Sequence, residues 1–497
     1  MNRSTETIPR EGLITVFAYG GRKAHLPLKA PDLIARVISL GPKRLKSQAT
    51  LLPSTAVRMM ARRTKTPYAL LMMHHGDVEW GPLALERFVE VARETGSAMV
   101  YSDYRERGVQ GVLEHPTCEY QEGSIRDDFD FGPVIFMKSA ALKTAAQKLG
   151  RYQHAGFYAL RLGLSRQGGI FRIGEFLSCV RKNPPEHEGE EQFAYLDRRN
   201  RRIQRELEDA ATRHLKKTGA LLRGGRRAVD LLEGEFAAMA SVVIPVRNRA
   251  RTIREAVSSA LRQQTDFPYN VLVVDNHSSD GTTDILRMTA DRYSRVIHII
   301  PERTDLGIGG CWNEALQHPQ CGRFAVQLDS DDLYADETAL AQVVKKFLEE
   351  KCAMVVGSYR LTDLEKREIP PGVIDHREWT AENGANNALR VNGFGAPRAF
   401  FTPVIRRIRF PNVSYGEDYA VGLAIAREYR VGRIFEPIYI CRRWEGNTDA
   451  GHDVARENAH NSFKDKIRTI EIRARRRKNK MRQRTPHGTI DRATAPV

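Results

Sequence analysis

Cysteine is scarce and scattered. The 497-residue chain has six, Cys118, Cys179, Cys311, Cys321, Cys352 and Cys441, and no two form a C-x-x-C pair. That spacing excludes the common zinc and thiol-redox signatures. Long apolar runs are missing as well. No stretch approaches the ~18–20 residues of a membrane-spanning helix, and the opening MNRSTETIPREGLITVF lacks the apolar core of a secretory signal. The expectation is a reducing, cytoplasmic setting. With 41% hydrophobic and 28% charged residues, the composition is that of an ordinary soluble protein. The length suggests roughly two to four domains, enough to bury several cores without disulfides or metals.

Acidic residues are the minority charge, 61 Asp/Glu against 78 Lys/Arg, for a net +17. The excess is concentrated. Residues 197–227 hold 11 Lys/Arg against 4 Asp/Glu, and residues 464–497 hold 12 against 3, which leaves the remainder close to neutral. A folded body shaped as a nucleic-acid groove would spread its cations, so no specific nucleic-acid partner is expected. What remains is a basic connector and a basic tail, able to meet RNA, an anionic lipid surface or an acidic protein.

Apolar runs alternate with amphipathic ones in the second half. SVVIPV (241–246), VLVVD (271–275), VIHII (296–300) and FAVQLD (324–329) read as buried strands. TIREAVSSALRQQ, TTDILRMTADRY and ETALAQVVKKFLEE have helical spacing. Such alternation predicts an α/β layer fold with a mostly parallel sheet, whose ligands bind at the carboxyl ends of the strands.

The first half echoes the second. HAGFYALRLGLSRQGGIFRIGEFLSCVRK (154–182) runs alongside GEDYAVGLAIAREYRVGRIFEPIYICRR (416–443), with Phe157 on Tyr419 and Cys179 on Cys441. AMVYSDYR (98–105) matches AMVVGSYR (353–360), and MMHHGD (72–77) falls on QLDSDD (327–332). Ordered self-similarity of this kind predicts a duplicated architecture. The expected domains are 1–185, a charged helical connector at 186–236, 237–455, and a basic, solvated tail at 456–497.

Asp329-Ser330-Asp331-Asp332 closes an apolar strand. Carboxylates this dense repel one another unless a cation sits among them, and Mg2+ or Mn2+ shared with substrate phosphates would serve. An acidic turn or helix cap is the other reading. Gly307-Ile308-Gly309-Gly310 fits neither G-x-G-x-x-G nor a P-loop. It is expected to let backbone run close to a ligand, while Trp312 packs in the core.

The ordered series SVVIPVRNRARTI, VLVVDNHSSDGT, LGIGGCWNEAL, FAVQLDSDDLYADE and YGEDYAVGLAIA resembles the family 2 glycosyltransferases, inverting enzymes of GT-A fold that use nucleotide sugars. The resemblance covers about residues 239–450. It implies two GT-A-like domains, a nucleotide-sugar donor, a glycan or lipid-linked acceptor and a divalent cation. By position, Pro245, Val246 and Arg247 would lie along the nucleoside, with Asp275 and Asn276 at base and ribose and with Gly309 and Asn313 nearby. Asp329 and Asp331 match the D-x-D motif as metal residues, Asp329 also facing the donor. Glu417 and Asp418 match the E-D motif, whose Asp is the general base. Many relatives place a metal-ligating His where Trp444 stands; His452 could substitute, although a lone loop histidine is more often not a ligand, and Arg442 and Arg443 would face the diphosphate or pair at the surface.

The first half has His74 and Gly76 opposite Asp329 and Asp331, and Ala155-Gly156 opposite Glu417-Asp418. Only Asp77, opposite Asp332, survives, so this copy should not catalyse. The expected activity is transfer of a sugar to a glycan or glycolipid hydroxyl in bacterial surface polysaccharide synthesis. The enzyme would be cytoplasmic, docking at the anionic inner membrane through the basic tail. A sugar nucleotidyltransferase and a non-catalytic glycan-binding protein are the alternatives.

Overall fold

The computed structural model describes residues 11–18, 31–40, 52–73, 78–109, 111–181, 201–444, 447 and 453–484. Two mixed sheets organise these residues. The first contains β1 (Ile14–Ala18), β2 (Ile34–Ser39), β3 (Tyr68–Met72), β4 (Val78–Trp80), β5 (Met99–Gly108), β6 (Gly111–His115), β7 (Val134–Lys138) and β8 (Ile170–Arg181). The second contains β9 (Ala240–Val246), β10 (Tyr269–Asp275), β11 (Val296–Ile299), β12 (Phe324–Gln327), β13 (Leu333–Tyr334), β14 (Met354–Thr362), β15 (Glu368–Ile374), β16 (Arg398–Phe401) and β17 (Val431–Arg442).

The first sheet runs β2-β1-β3-β7-β5-β8-β4, with β6 on β5. The second runs β11-β10-β9-β12-β16-β14-β17-β13, with β15 on β14. Apart from β11 the two orders correspond strand for strand, and so do the senses. In each sheet three parallel strands meet an antiparallel one, followed by a long parallel pair: β3 and β7 then β5 and β8, β12 and β16 then β14 and β17. Both long pairs carry two register shifts, at Ser102–Tyr104 and at Val356–Tyr359.

The central strands of the second sheet are covered on both faces, which explains why they read as unbroken β-branched runs. Val242, Val243, Ile244, Val271, Leu272, Val273 and Val274 are fully buried. Asp275 lies beside Val246 and Gln327 beside Val243, so the three parallel strands deliver their carboxyl ends to one edge.

Two segments pack more closely than their charge suggests. Within the connector, residues 182–200 lie outside the described set, and Arg201–Lys217 is a helix packed on both halves. Its Leu207, Ala210, Ala211 and Leu215 share one hydrophobic cluster with Tyr158 and Leu162 of the first half and with the second sheet. From Gly219 to Met239 the chain is held against the second domain, as by Arg227 N–H donating to Glu428 O at 3.0 Å.

The tail expected to be solvated is the second of them. Val454–Arg484 is a 31-residue helix wedged between the halves. Arg468, Asp465 and Arg475 are fully buried in it. It faces the first half through Ser124, whose hydroxyl donates to Asp465 Oδ2 at 2.9 Å, and the second through Arg468 Nε, 3.0 Å from Tyr419 Oη. Besides Ile467 and Ile472, many of its buried residues are charged partners, which is why composition reads as a soluble tail. Residues 485–497 lie outside the described set.

Candidate active site

The acidic motif forms a turn just past β12. Asp332 N–H donates to Asp329 O at 3.1 Å, and Thr252 Oγ1 ties Ser330 O to the neighbouring helix at 3.0 Å. Asp332 faces inward and accepts Arg442 N–H at 2.8 Å. Burial, then Asp331 and Asp329, push its carboxyl well above the usual range. Arg442 also bonds Asp331 O and Glu255. It is buried as a clamp on the turn, which corrects the alternative of pairing at the surface.

Asp331 points the other way. Its Oδ2 accepts Trp444 Nε1–H at 3.1 Å and Asn447 Nδ2–H at 3.2 Å, with Arg249 Nε 3.7 Å away. Arg249 and Arg251 lie over the Trp444 ring at 5.9 and 5.5 Å. An indole N–H is a donor only, so Trp444 holds the carboxylate and has no lone pair for a metal. His452 lies outside the described residues.

Asp329 is tied to the second acidic pair. Gln327 Nε2 donates to Asp329 Oδ1 at 2.8 Å, while Gln327 Oε1 accepts Arg398 N–H at 3.0 Å. The Arg398 guanidinium then meets Asp418 Oδ2 at 2.9 Å. Burial raises the Asp329 carboxyl; Arg398 and Gln327 oppose this, and Asp331 and Asp418 reinforce it. Glu417 and Asp418 open the helix Glu417–Glu428, where Gly416 turns the chain at φ 77° and the helix dipole favours acids. Glu417 is buried, its Oε2 has no hydrogen-bond partner, and burial with the Asp418 charge pushes its carboxyl up to about 8.

The nucleoside-side residues lie along the strand ends. Pro245 and Val246 end β9, and Arg247 follows, exposed. Asp275 is fully buried. Burial alone would raise it, but hydrogen bonds from His298, Ser278 and Thr283 hold it well below the usual carboxylate range. Asn276 donates from Nδ2 to Leu306 O at 2.8 Å and leaves a buried, unpartnered Oδ1.

Gly309 and Asn313 both meet the 410–413 loop. A Cβ on Gly309 would stand 2.0 Å from Pro411 O. The glycine lets the helix Ile308–Gln317 press on the 411–413 backbone. Asn313 bonds Phe410 at both amide ends, 2.9 and 3.0 Å, bracing the loop ahead of Glu417. Trp312 packs in the core, stacked on Phe410 at 5.2 Å.

In the first half, Ala155 is fully buried, and a Cβ on Gly156 would meet the Leu52–Ser54 backbone at 2.5 Å. The position opposite Asp418 is therefore a packing contact. His74, Gly76 and Asp77 lie outside the described residues.

Sequence reasoning missed Arg398 and Gln327. The available signal was one arginine opening the apolar strand RAFF, since a cation entering a buried strand needs a carboxylate partner. For a metal, the donor set is hard: two carboxylates on one turn. Among the described residues no group of three His, Cys, Asp or Glu could hold a cation. Two carboxylates on one turn are the chemistry of an ion that takes one or two carboxylates and completes its shell with water and phosphate oxygens.

Residues 241–407 match the family described as Glycosyl transferase family 2. The chain is 26% identical over 195 residues to a putative teichuronic acid biosynthesis glycosyltransferase, TuaG, of Bacillus subtilis, covering 38% of this chain and 73% of that one. It is 24% identical over 237 residues to a poly(ribitol-phosphate) beta-glucosyltransferase of Bacillus spizizenii, covering 46% and 36%. The structure of S. aureus TarS 1–349 in complex with UDP-GlcNAc aligns with a TM-score of 0.36 at 22% identity, over 47% of this chain and 71% of that one. The chain thus spans most of the first relative and about a third of the second.

Proposed function

We propose, from the premise that residues 241–407 are a family 2 glycosyltransferase domain, that the chain is an inverting, metal-dependent enzyme of bacterial surface polysaccharide synthesis. It moves a sugar from a nucleotide-sugar donor to a hydroxyl of a glycan or glycolipid acceptor. The observation that carries this reading is the linked pair of acidic sites. Asp329 and Asp331 on one turn are joined through Gln327 and Arg398 to Asp418 on a facing helix.

A nucleoside lies along Pro245–Arg247, with Asp275 shaping its pocket and the free Asn276 Oδ1 accepting from a base or ribose. Asp329 and Asp331 hold the divalent ion, which when bound supplies positive charge to the diphosphate. Asp418 takes the proton from the acceptor hydroxyl. The acceptor oxygen bonds to the anomeric carbon, the carbon–phosphate-oxygen bond breaks, and the nucleoside diphosphate departs from the opposite face. One in-line displacement inverts the configuration. Proton removal of this kind contributes ~10²–10⁴-fold. The first half is read as a copy of the same fold whose base position has become a packing contact, which leaves it a supporting role.

The test is a donor screen across UDP-, GDP- and dTDP-sugars with and without Mn2+, reading calorimetric binding and sugar release. Metal-dependent binding of one donor, with hydrolysis lost by at least ~10²-fold in Asp418→Asn, supports the reading. Failure of every nucleotide sugar to bind overturns it.

A further inference from the structure

The two basic segments, remote in sequence, are adjacent in space. Along the last turns of the helix Val454–Arg484, Arg476 Nε donates to Thr218 O at 2.6 Å and Asn479 Nδ2 to Gly219 O at 2.8 Å. Arg482 reaches Arg223 O at 3.4 Å. The end of the connector, with the exposed Arg223 and Arg227, therefore lies against the last turns of the C-terminal helix.

The helix divides its charges by face. Arg468 and Arg475 are buried against Asp465 and Glu471, and Lys478 pairs with Glu428 at 2.7 Å. Lys466, Ile470, Arg473, Arg477, Lys480 and Met481 are exposed instead. Their three- and four-residue spacing puts them on one stripe, about 22 Å long at ~1.5 Å per residue. Only Arg473 on this stripe pairs with a carboxylate in the described structure, Glu122 at 2.9 Å. Ile470 and Met481 are 62% and 63% exposed, large apolar side chains set among the cations.

Positive charge is crowded where the segments meet. Burial, then Arg475 and Arg482, hold Arg226 below its ordinary value, and burial with Arg482 and Arg226 does the same to Lys478 in spite of Glu428. Such a surface is short of anions.

We propose that residues 201–227 and the outer stripe of the helix Val454–Arg484 form a single cationic face that docks on an anionic lipid bilayer. Cations alternating with exposed aliphatic side chains suit a helix lying in the interface plane, its charges among headgroup phosphates and its apolar groups just below them. A single-stranded nucleic acid would call for aromatic platforms, and residues 464–484 contain no aromatic residue. The proposal concerns binding alone, so it stands or falls separately from the enzymatic reading.

The experiment is co-sedimentation of the full chain with phosphatidylcholine vesicles, with and without phosphatidylglycerol, over a salt series. Arg477→Glu/Lys480→Glu reverses two outward cations. Arg62→Glu/Arg63→Glu makes the same charge change on exposed residues of the first half, and thermal melts verify that both variants fold. Expected is binding that needs phosphatidylglycerol and fades with salt. Reversal at 477 and 480 should cut it by at least tenfold, and reversal at 62 and 63 should leave it near wild type. Absent or equal sedimentation on the two vesicle types, or an equal loss in both variants, overturns the proposal. Binding to a single-stranded RNA but not to vesicles overturns it in favour of a nucleic-acid face.

Discussion

Arg398 Nη1 lies 2.9 Å from Asp418 Oδ2, and the backbone N–H of the same arginine is bonded to the amide that holds Asp329. One residue thus fixes the distance between the proposed base and the proposed donor-binding carboxylate. Arg398→Gln should lower turnover by about tenfold or more, since a charge-assisted hydrogen bond contributes ~1.5–3 kcal/mol. Donor affinity should stay near wild type, because the backbone bond to Gln327 survives. Arg398→Lys should recover part of the loss. Calorimetric donor binding beside donor-hydrolysis rates separates the two effects, and equal losses in both would assign Arg398 to the fold alone.

Glu417 gives stability a definite pH slope. Its folded value of about 8 stands above the ordinary 4.5, owing to burial and then to Asp418. Between those values the folded state binds a proton that the unfolded state has lost, so stability falls as pH rises through this window and levels off above it. One such proton gives up to about 1.4 kcal/mol per pH unit. Asp329 and Asp332, also raised, add to the slope from their own windows. Glu417→Gln should flatten the decline in melting temperature between about pH 5 and 8. An unchanged slope would place Glu417 in its ionised form.

Trp444 occupies the second acceptor oxygen of Asp331 without offering a lone pair. Trp444→His supplies an imidazole that can ligate once neutral, so Mn2+ affinity measured by calorimetry without nucleotide should rise. Asp331→Ala should abolish Mn2+ binding and leave the melting temperature within a few degrees of wild type. Retained Mn2+ binding in Asp331→Ala would move the metal off this turn.

The strands that deliver the site were legible because parallel central strands, buried on both faces, leave a plain trace: SVVIPV, VLVVD and FAVQ are unbroken apolar runs. The acidic residues stood out because they close such a run, although an acidic turn or helix cap leaves the same pattern. Arg398 was hidden because its partner Asp418 is a pairing across the fold, which no local pattern records. Gly309 and Asn313 show that a close backbone approach looks the same in sequence whether the neighbour is a ligand or the 410–413 loop, which both residues contact here. Composition misled at the C-terminus, where buried Arg–acid pairs stand beside only a few buried apolar side chains, Ile467 and Ile472.

That last case can be tested directly. Arg468 and Asp465 are both fully buried, 2.7 Å apart, with Tyr419, beside the proposed base, bonded to the same guanidinium. Removing one partner strands a buried charge, so Arg468→Met should destabilise by ~3–5 kcal/mol. Asp465→Leu alone should cost a similar amount, since it also removes the acceptor of Ser124. The double variant should recover much of the loss, because a buried ion pair replaced by apolar groups of similar size is often near neutral. Urea unfolding of the three variants, cast as a double-mutant cycle, gives the coupling. A large positive coupling establishes the pair as a buried strut of the interdomain helix, and additive small effects would show the helix end to be solvated after all. A chain ending near Asn461 removes the strut with its helix and should lose cooperative unfolding, so truncation is no substitute for point variants in any study of the basic face.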